Sequence, residues 1–231
     1  MTNKTYDLKK DERYLQLLSQ SFPTIADAST EIINLQAILN LPKGTEHFLA
    51  DIHGEHEAFQ HVLKNASGNI KRKVNDLFGD TLRESEKREL CTLIYYPEQK
   101  IELVKQTETD IEDWYHIAIH RLVRICRDVS SKYTRSKVRK SLPVEFSYII
   151  QELLHESSAD KDKSDYVSAI ISTIISTGRA DDFITTICNV IQRLAIDSLH
   201  ILGDIYDRGP GAHVVMDILK NYHTWDITWG N

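Results

Sequence analysis

Apolar residues recur through most of this chain at three- and four-residue spacing, the period of an α-helix with one buried face. In residues 11–22 the apolar positions Tyr14, Leu15, Leu17, Leu18 and Phe22 predict a short amphipathic helix that stops near Pro23. A second helix is expected from Ala28 to Leu39, with Ile32, Ile33, Leu35, Ile38 and Leu39 on its inner side and Pro42 beyond its end. Further on, Arg83–Ile94, Ile111–Val129, Val144–Leu154, Tyr166–Ser176 and Asp182–Ile196 carry the same period. Ile117, Ile119, Leu122, Val123, Ile125 and Cys126 illustrate the stripe. Breaks are expected at Pro97, Pro143, Gly178 and the polar run Ser157 to Ser164.

Three short apolar runs have a different character. His47-Phe48-Leu49-Ala50, Leu199-His200-Ile201-Leu202 and Ile227-Thr228-Trp229 read as strands, each followed by a turn glycine or the chain end. Glu55–Lys64, with Ala58, Phe59, Val62 and Leu63, reads as the return helix after the first strand. Ala212–Asn221, with Val214, Val215, Ile218 and Leu219 inward, plays that part after the second. The expected fold is α/β: a βα unit, a helical insertion, then βαβ. Residues 1–68 hold the N-terminal helices and first βα unit, 69–197 the insertion, and 198–231 the second and third strands. Ligands are then expected at the carboxyl ends of the strands, where open α/β sheets generally bind them.

Composition narrows the function classes. The chain has 28 Lys and Arg against 34 Asp and Glu, a net charge of −6. No basic stripe is evident, which argues against nucleic acid as the main partner. The one basic cluster, Lys132 to Lys140, reads as a solvated helix face or loop. Cys91, Cys126 and Cys188 are odd in number and far apart, as expected of buried thiols in a reduced, cytoplasmic protein. No run approaches 18 apolar residues and the first residues lack an apolar signal core, so neither membrane insertion nor secretion is expected. A homo-oligomer is compatible with the sequence.

Candidate chemistry lies at the three strand ends: Asp51-Ile52-His53-Gly54, Gly203-Asp204-Ile205-Tyr206-Asp207-Arg208-Gly209, and Gly230-Asn231. Asp, His, Asp and Asn at converging strand ends suit a pair of divalent cations, which clamp both oxygens of an in-line phosphoryl displacement. Asp51 and His53 are two apart, so both would face one side of a continuing strand. A carboxylate with an imidazole suits Mn²⁺, Fe²⁺ or Zn²⁺ better than Ca²⁺. Gly54 would let the chain turn sharply beneath the metals. Arg208 offers a planar fork of donors to phosphate oxygens. The bland readings are a surface turn at Asp51–Gly54 and a structural ion pair between Asp207 and Arg208. His56, His61 and His213 read as surface or packing residues. His116 and His120 have a metal-compatible i, i+4 spacing without the Glu of a zincin helix.

At these residues the chain resembles the calcineurin-like metallophosphoesterases, whose pattern is Asp-x-His, Gly-Asp-x-x-Asp-Arg-Gly and Gly-Asn-His-Glu. Through Phe48–Phe59, the long helical insertion and Leu199–Pro210, it resembles the class 3 fructose-1,6-bisphosphatases of low-GC Gram-positive and some other bacteria. The resemblance implies an incomplete calcineurin-like core interrupted by helices. It implies Asp51 and His53 on the first metal, Asp204 bridging both, and Asn231 on the second. Arg208 would hold the substrate phosphate and Asp207 would orient the catalytic histidine. It further implies Mn²⁺ and attack of metal-activated water on the 1-phosphate of fructose 1,6-bisphosphate, in gluconeogenesis. The family continues past Gly-Asn with His-Glu and a second half, whereas nothing follows Asn231 here. The expectation is therefore an N-terminal part with little or no activity alone and an exposed sheet edge and apolar face. Protein serine/threonine phosphatases and dinucleotide polyphosphate hydrolases share the core motifs but are disfavoured by the insertion. A noncatalytic helical interaction module is the alternative of another class. No residue visibly reads a fructose ring.

Overall fold

The computed structural model describes residues 8–155 and 161–230, and the chain divides into two compact units, Met1–Pro42 and Lys43–Asn231. The first unit consists of α1 (Leu8–Ser21) and α2 (Ile25–Leu39). α2 starts three residues before the expected Ala28, with Thr24 as its cap. The Thr24 hydroxyl accepts from the Asp27 amide at 3.1 Å, and the Asp27 carboxylate accepts from the Thr24 amide at 3.2 Å. This reciprocal cap satisfies two of the amides that a helix start leaves unpaired. The expected inner side of α2 is not inside. No α2 residue is buried, and Ile32, Ile33, Leu35, Ile38 and Leu39 are all exposed. A 3.6-residue period identifies a face suited to burial; it does not supply the element that covers it.

The second unit carries a parallel sheet of β1 (Glu46–Leu49), β2 (Ser198–Ile201) and β3 (Trp225–Ile227) in that order. Glu46 pairs with Ser198, and Leu199 with Trp225. The third strand lies two residues earlier than expected. Trp225 packs toward the sheet's covered side, whereas Trp229 is 99% exposed. The Thr228 amide still donates to Ile201 at 2.9 Å, and among the described residues no strand pairs with the outer edge of β3. One sheet face is covered by α3 (His56–Asn65) and α12 (Ala212–Lys220), through Phe59, Leu63, Leu199, Ile201, Val215 and Leu219. The other face presents Phe48, 57% exposed and stacked on the His200 ring, which also contacts the Asp226 carboxylate at 2.9 Å.

Between β1 and β2 the described chain is helical: α4 (Asn69–Phe78), α5 (Glu84–Tyr95), α6 (Pro97–Thr107), α7 (Ile111–Ser130), α8 (Arg135–Ser141), α9 (Ser147–His155), α10 (Lys161–Ser176) and α11 (Ala180–Ala195). Pro97 is not a break but the first residue of α6, where a missing N–H costs nothing and a fixed φ is already helical. The expected break Ser157–Ser164 lies partly outside the described residues, and α10 already begins at Lys161. The basic run Lys132–Lys140 includes the short helix α8. α7 and α11 form the centre of a large core in which Ile119, Leu122, Ile125, Phe183, Ile187 and Ile191 are fully buried. Cys91, Cys126 and Cys188 are buried thiols. No helix among the described residues is long and apolar enough to cross a membrane.

The two roots of the insertion are tied to each other, and its Lys132 to the residue that precedes β1. Asn69 donates to the Ala195 carbonyl at 3.3 Å, and Lys132 donates to Thr45 Oγ1 at 2.9 Å and to the Ala195 carbonyl at 3.2 Å. Burial pulls the Lys132 ammonium down to about 8. On β1, buried His47 reaches Ser67 Oγ through Nε2 at 2.5 Å, while its buried Nδ1 has no partner. Placing the proton on Nε2 leaves only a lone pair unmatched, the cheaper orphan. Burial lowers the His47 pKa, and it lowers that of His223, whose Nε2 meets the Ile196 carbonyl at 2.9 Å. Both rings therefore resist protonation when folded and accept it when unfolded, near pH 6.5. Stability is full above that pH and is lost as pH falls below it. The thermal midpoint should drop between about pH 6.5 and 5, with a shallower drop in His47→Gln; an equal slope in both proteins would exclude His47 as a cause.

Candidate active site

The loops following β1 and β2 leave the carboxyl ends of adjacent parallel strands, so they emerge side by side. Three backbone hydrogen bonds stitch them together. The His53 amide donates to the Asp204 carbonyl at 2.8 Å, Gly209 to His53 at 2.7 Å, and Gly211 to Gly54 at 3.1 Å. The approach is close enough to demand glycine. A Cβ on Gly54, which has φ +71°, would lie 2.4 Å from the Gly209 carbonyl oxygen. The third segment closes in the same way: a Cβ on Gly203 would lie 2.3 Å from Gly230, and one on Gly230 would lie 2.2 Å from Asp204 Oδ1.

Asp51 and His53 do not lie on a continuing strand. β1 ends at Leu49, and both residues adopt left-handed backbone, φ 53° and 48°. Their side chains converge nonetheless, with His53 Nε2 at 3.5 Å from Asp51 Oδ1. The turn achieves by φ sign what alternation was expected to provide. Asp204 (φ 52°) and Arg208 (φ 75°) are also left-handed. Asp tolerates this region, but His and Arg pay the Cβ penalty of roughly 1–2 kcal/mol each. Such strain persists only where the surroundings over-determine it, and it clusters at functional sites.

Asp207 completes the arrangement. Its Oδ1 sits 2.6 Å from His53 Nδ1, and this hydrogen bond is the main reason the Asp207 carboxyl is held below its ordinary range. A carboxylate acceptor on Nδ1 places the ring proton there and leaves the Nε2 lone pair facing Asp51, an assignment made from the partners. Arg208, 77% exposed, has Nε at 3.4 Å from Asp207 Oδ2. Three carboxylates and one imidazole against one guanidinium make the pole negative, an environment for cations. Among the described residues no group of three or more His, Cys, Asp or Glu side chains is gathered tightly enough to hold a metal ion. Asp51 and His53 are paired; the Asp204 carboxylate is turned toward Gly230. Asn231 lies outside the described residues.

Comparison with known proteins places this chain in a family. A family model described as Firmicute fructose-1,6-bisphosphatase matches residues 13–231. The chain belongs to this family. It is 76% identical over 221 residues to the fructose-1,6-bisphosphatase class 3 of Bacteroides thetaiotaomicron, covering 96% of this chain and 33% of that protein. Against the class 3 enzyme of Porphyromonas gingivalis strain W83 it is 65% identical over 224 residues, 97% of this chain and 34% of the other. Against a class 3 enzyme of Clostridium beijerinckii it is 64% identical over 233 residues, 99% and 35% respectively. The chain thus spans about a third of the length of the curated relatives it matches. No solved structure matches.

Within this Firmicute fructose-1,6-bisphosphatase segment, sequence reasoning brought Asp51, His53, Asp204, Asp207 and Arg208 to one pole, where the structure also gathers them. It missed the contact between Asp207 and His53, because residues 154 apart in sequence carry no local signal of pairing. It also missed Gly209 and Gly211 as a packing surface. A Cβ on Gly211 would strike His56 Nδ1 at 2.4 Å, so the His56 ring lies against this loop rather than among the candidate ligands. The Gly-Pro-Gly spacing was the available signal. His213 is exposed, and His61 contacts the Tyr96 hydroxyl at 2.5 Å.

Proposed function

We propose that this chain provides the first half of a calcineurin-like two-metal site in a fructose-1,6-bisphosphatase that hydrolyses the 1-phosphate to give fructose 6-phosphate. The observation that supports this best is the coincidence of strain and chemistry. Among the described residues six non-glycine positions have positive φ, and four of them are Asp51, His53, Asp204 and Arg208, the residues the family pattern would use. The relatives' printed name supplies the substrate.

In this reading Asp51 and His53 would hold a first cation, and Asp204 and Asn231 would contribute to a second. The donor set fits Mn²⁺ in kind, a carboxylate beside a neutral imidazole, although only two donors are paired within 3.5 Å. Bound cations would neutralise phosphate oxygens and acidify water at the site. Asp207 keeps the His53 lone pair directed at the cation position. Arg208, exposed and only loosely held by Asp207, is free to fork onto the phosphate. Calorimetric titration of Mn²⁺ into the 231-residue chain tests the reading, followed by fructose 1,6-bisphosphate. Binding of Mn²⁺ lost in Asp51→Ala, and bisphosphate binding that needs both Mn²⁺ and Arg208, are expected. A chain with no Mn²⁺ site sensitive to Asp51 would instead favour a noncatalytic helical module.

A further inference from the structure

The largest unmatched feature of the molecule is α2. Ile25 is 90% exposed, Leu39 78%, Ile33 69%, Ile32 66%, Ile38 52% and Leu35 49%. A helix apolar on most of its circumference belongs in an interior. A 15-residue helix with no buried residue is also marginal on propensity alone. We propose that α2 is a dimerisation helix, paired in parallel with α2 of a second copy of this chain. This inference is independent of the catalytic reading.

Three observations select a second copy. Ile25, Ala28, Ile32, Leu35 and Leu39 follow the 3-4-3-4 spacing of a coiled-coil seam. With Ile25, Ile32 and Leu39 at a, Ala28 and Leu35 fall at d. Isoleucine at a with leucine at d is the combination that favours two parallel strands. The only charged side chains of α2 are Asp27 and Glu31, and Asp27 is engaged in the cap with Thr24, so the seam is free of charge. The area is also sufficient. The five other exposed α2 side chains, without Ile33, and Tyr14, Leu15 and Leu17 of α1 expose on the order of 900 Å², against the roughly 800 Å² per partner of a standard stable interface. In the parallel pair Ile32 meets Ile32 of the partner subunit at the centre, while Ile33 points away from the seam.

Sedimentation of the 231-residue chain over a range of concentrations tests this. The expected species is one of two chain masses. Ile32→Glu buries an unpaired carboxylate in the seam and should raise the dimer dissociation constant roughly 100-fold or more. Ile33→Glu places the same charge one residue on and should leave the dimer in place. Both positions are exposed in the single chain, so neither change removes a packing contact within it. Oxidising Ile32→Cys should link two chains, since the three native cysteines are buried. A monomer at all concentrations, as when another polypeptide covers α2, overturns the proposal. So does a dimer that both Glu variants disperse equally, or that neither disperses.

Discussion

His53→Ala should abolish measurable Mn²⁺ binding at the proposed site, and Asp207→Asn should weaken it by roughly 10- to 100-fold. The first change removes a donor atom. The second leaves every donor in place but replaces the acceptor on His53 Nδ1, 2.6 Å away. An amide there can donate to Nδ1 and hold the proton on Nε2, turning the ring's lone pair away from Asp51. Paramagnetic titration of free Mn²⁺ reads both affinities without any turnover. Equal affinity in Asp207→Asn and the parent chain would mean that Asp207 does not orient His53. Asp207 is over half exposed, so the change should reach the metal without unfolding the chain.

The other large effect concerns stability. Phe183→Ala should cost about 3–5 kcal/mol, the range for emptying a fully packed aromatic site. Phe183 is completely buried on α11, with its ring edge-on to Phe146 at a centroid distance of 5.4 Å. Arg179 in turn covers the Phe146 ring, and α11 packs along α7. Neighbours held from three sides have little freedom to collapse into the space. Chemical denaturation should show the midpoint shifting with the slope unchanged. A loss under about 1 kcal/mol would mean that the α7–α11 core repacks freely.

Long, uninterrupted periods were legible in the sequence: α7 and α11 appear where the apolar stripes predict them, within a residue or two. So were the first two strands, because a short apolar run ending in Asp or Gly has few other uses in a globular fold. Two things were hidden. Signals with two meanings misled, as when Pro97 marked the start of α6 rather than a break. Three-dimensional closure was hidden altogether: left-handed turns at His53 and Arg208 come from tertiary hydrogen bonds, not from local preference. The candidate residues were therefore identifiable from their chemistry, while their mutual orientation was not.

The placement of the insertion bears on the order in which the molecule assembles. Pairing β1 with β2 closes a loop of roughly 150 residues, an entropic cost of about 4 kcal/mol for a flexible chain. Helices, by contrast, gather mainly local contacts and form early. Once the insertion is folded, Asn69 and Ala195 are already in contact, and only the short segments flanking them still have to close. The strained turns at Asp51, His53, Asp204 and Arg208 have no stabilising neighbours until that moment. The helical body should therefore form first and the chemically demanding pole last, which makes that pole the region that ligand binding would stabilise most.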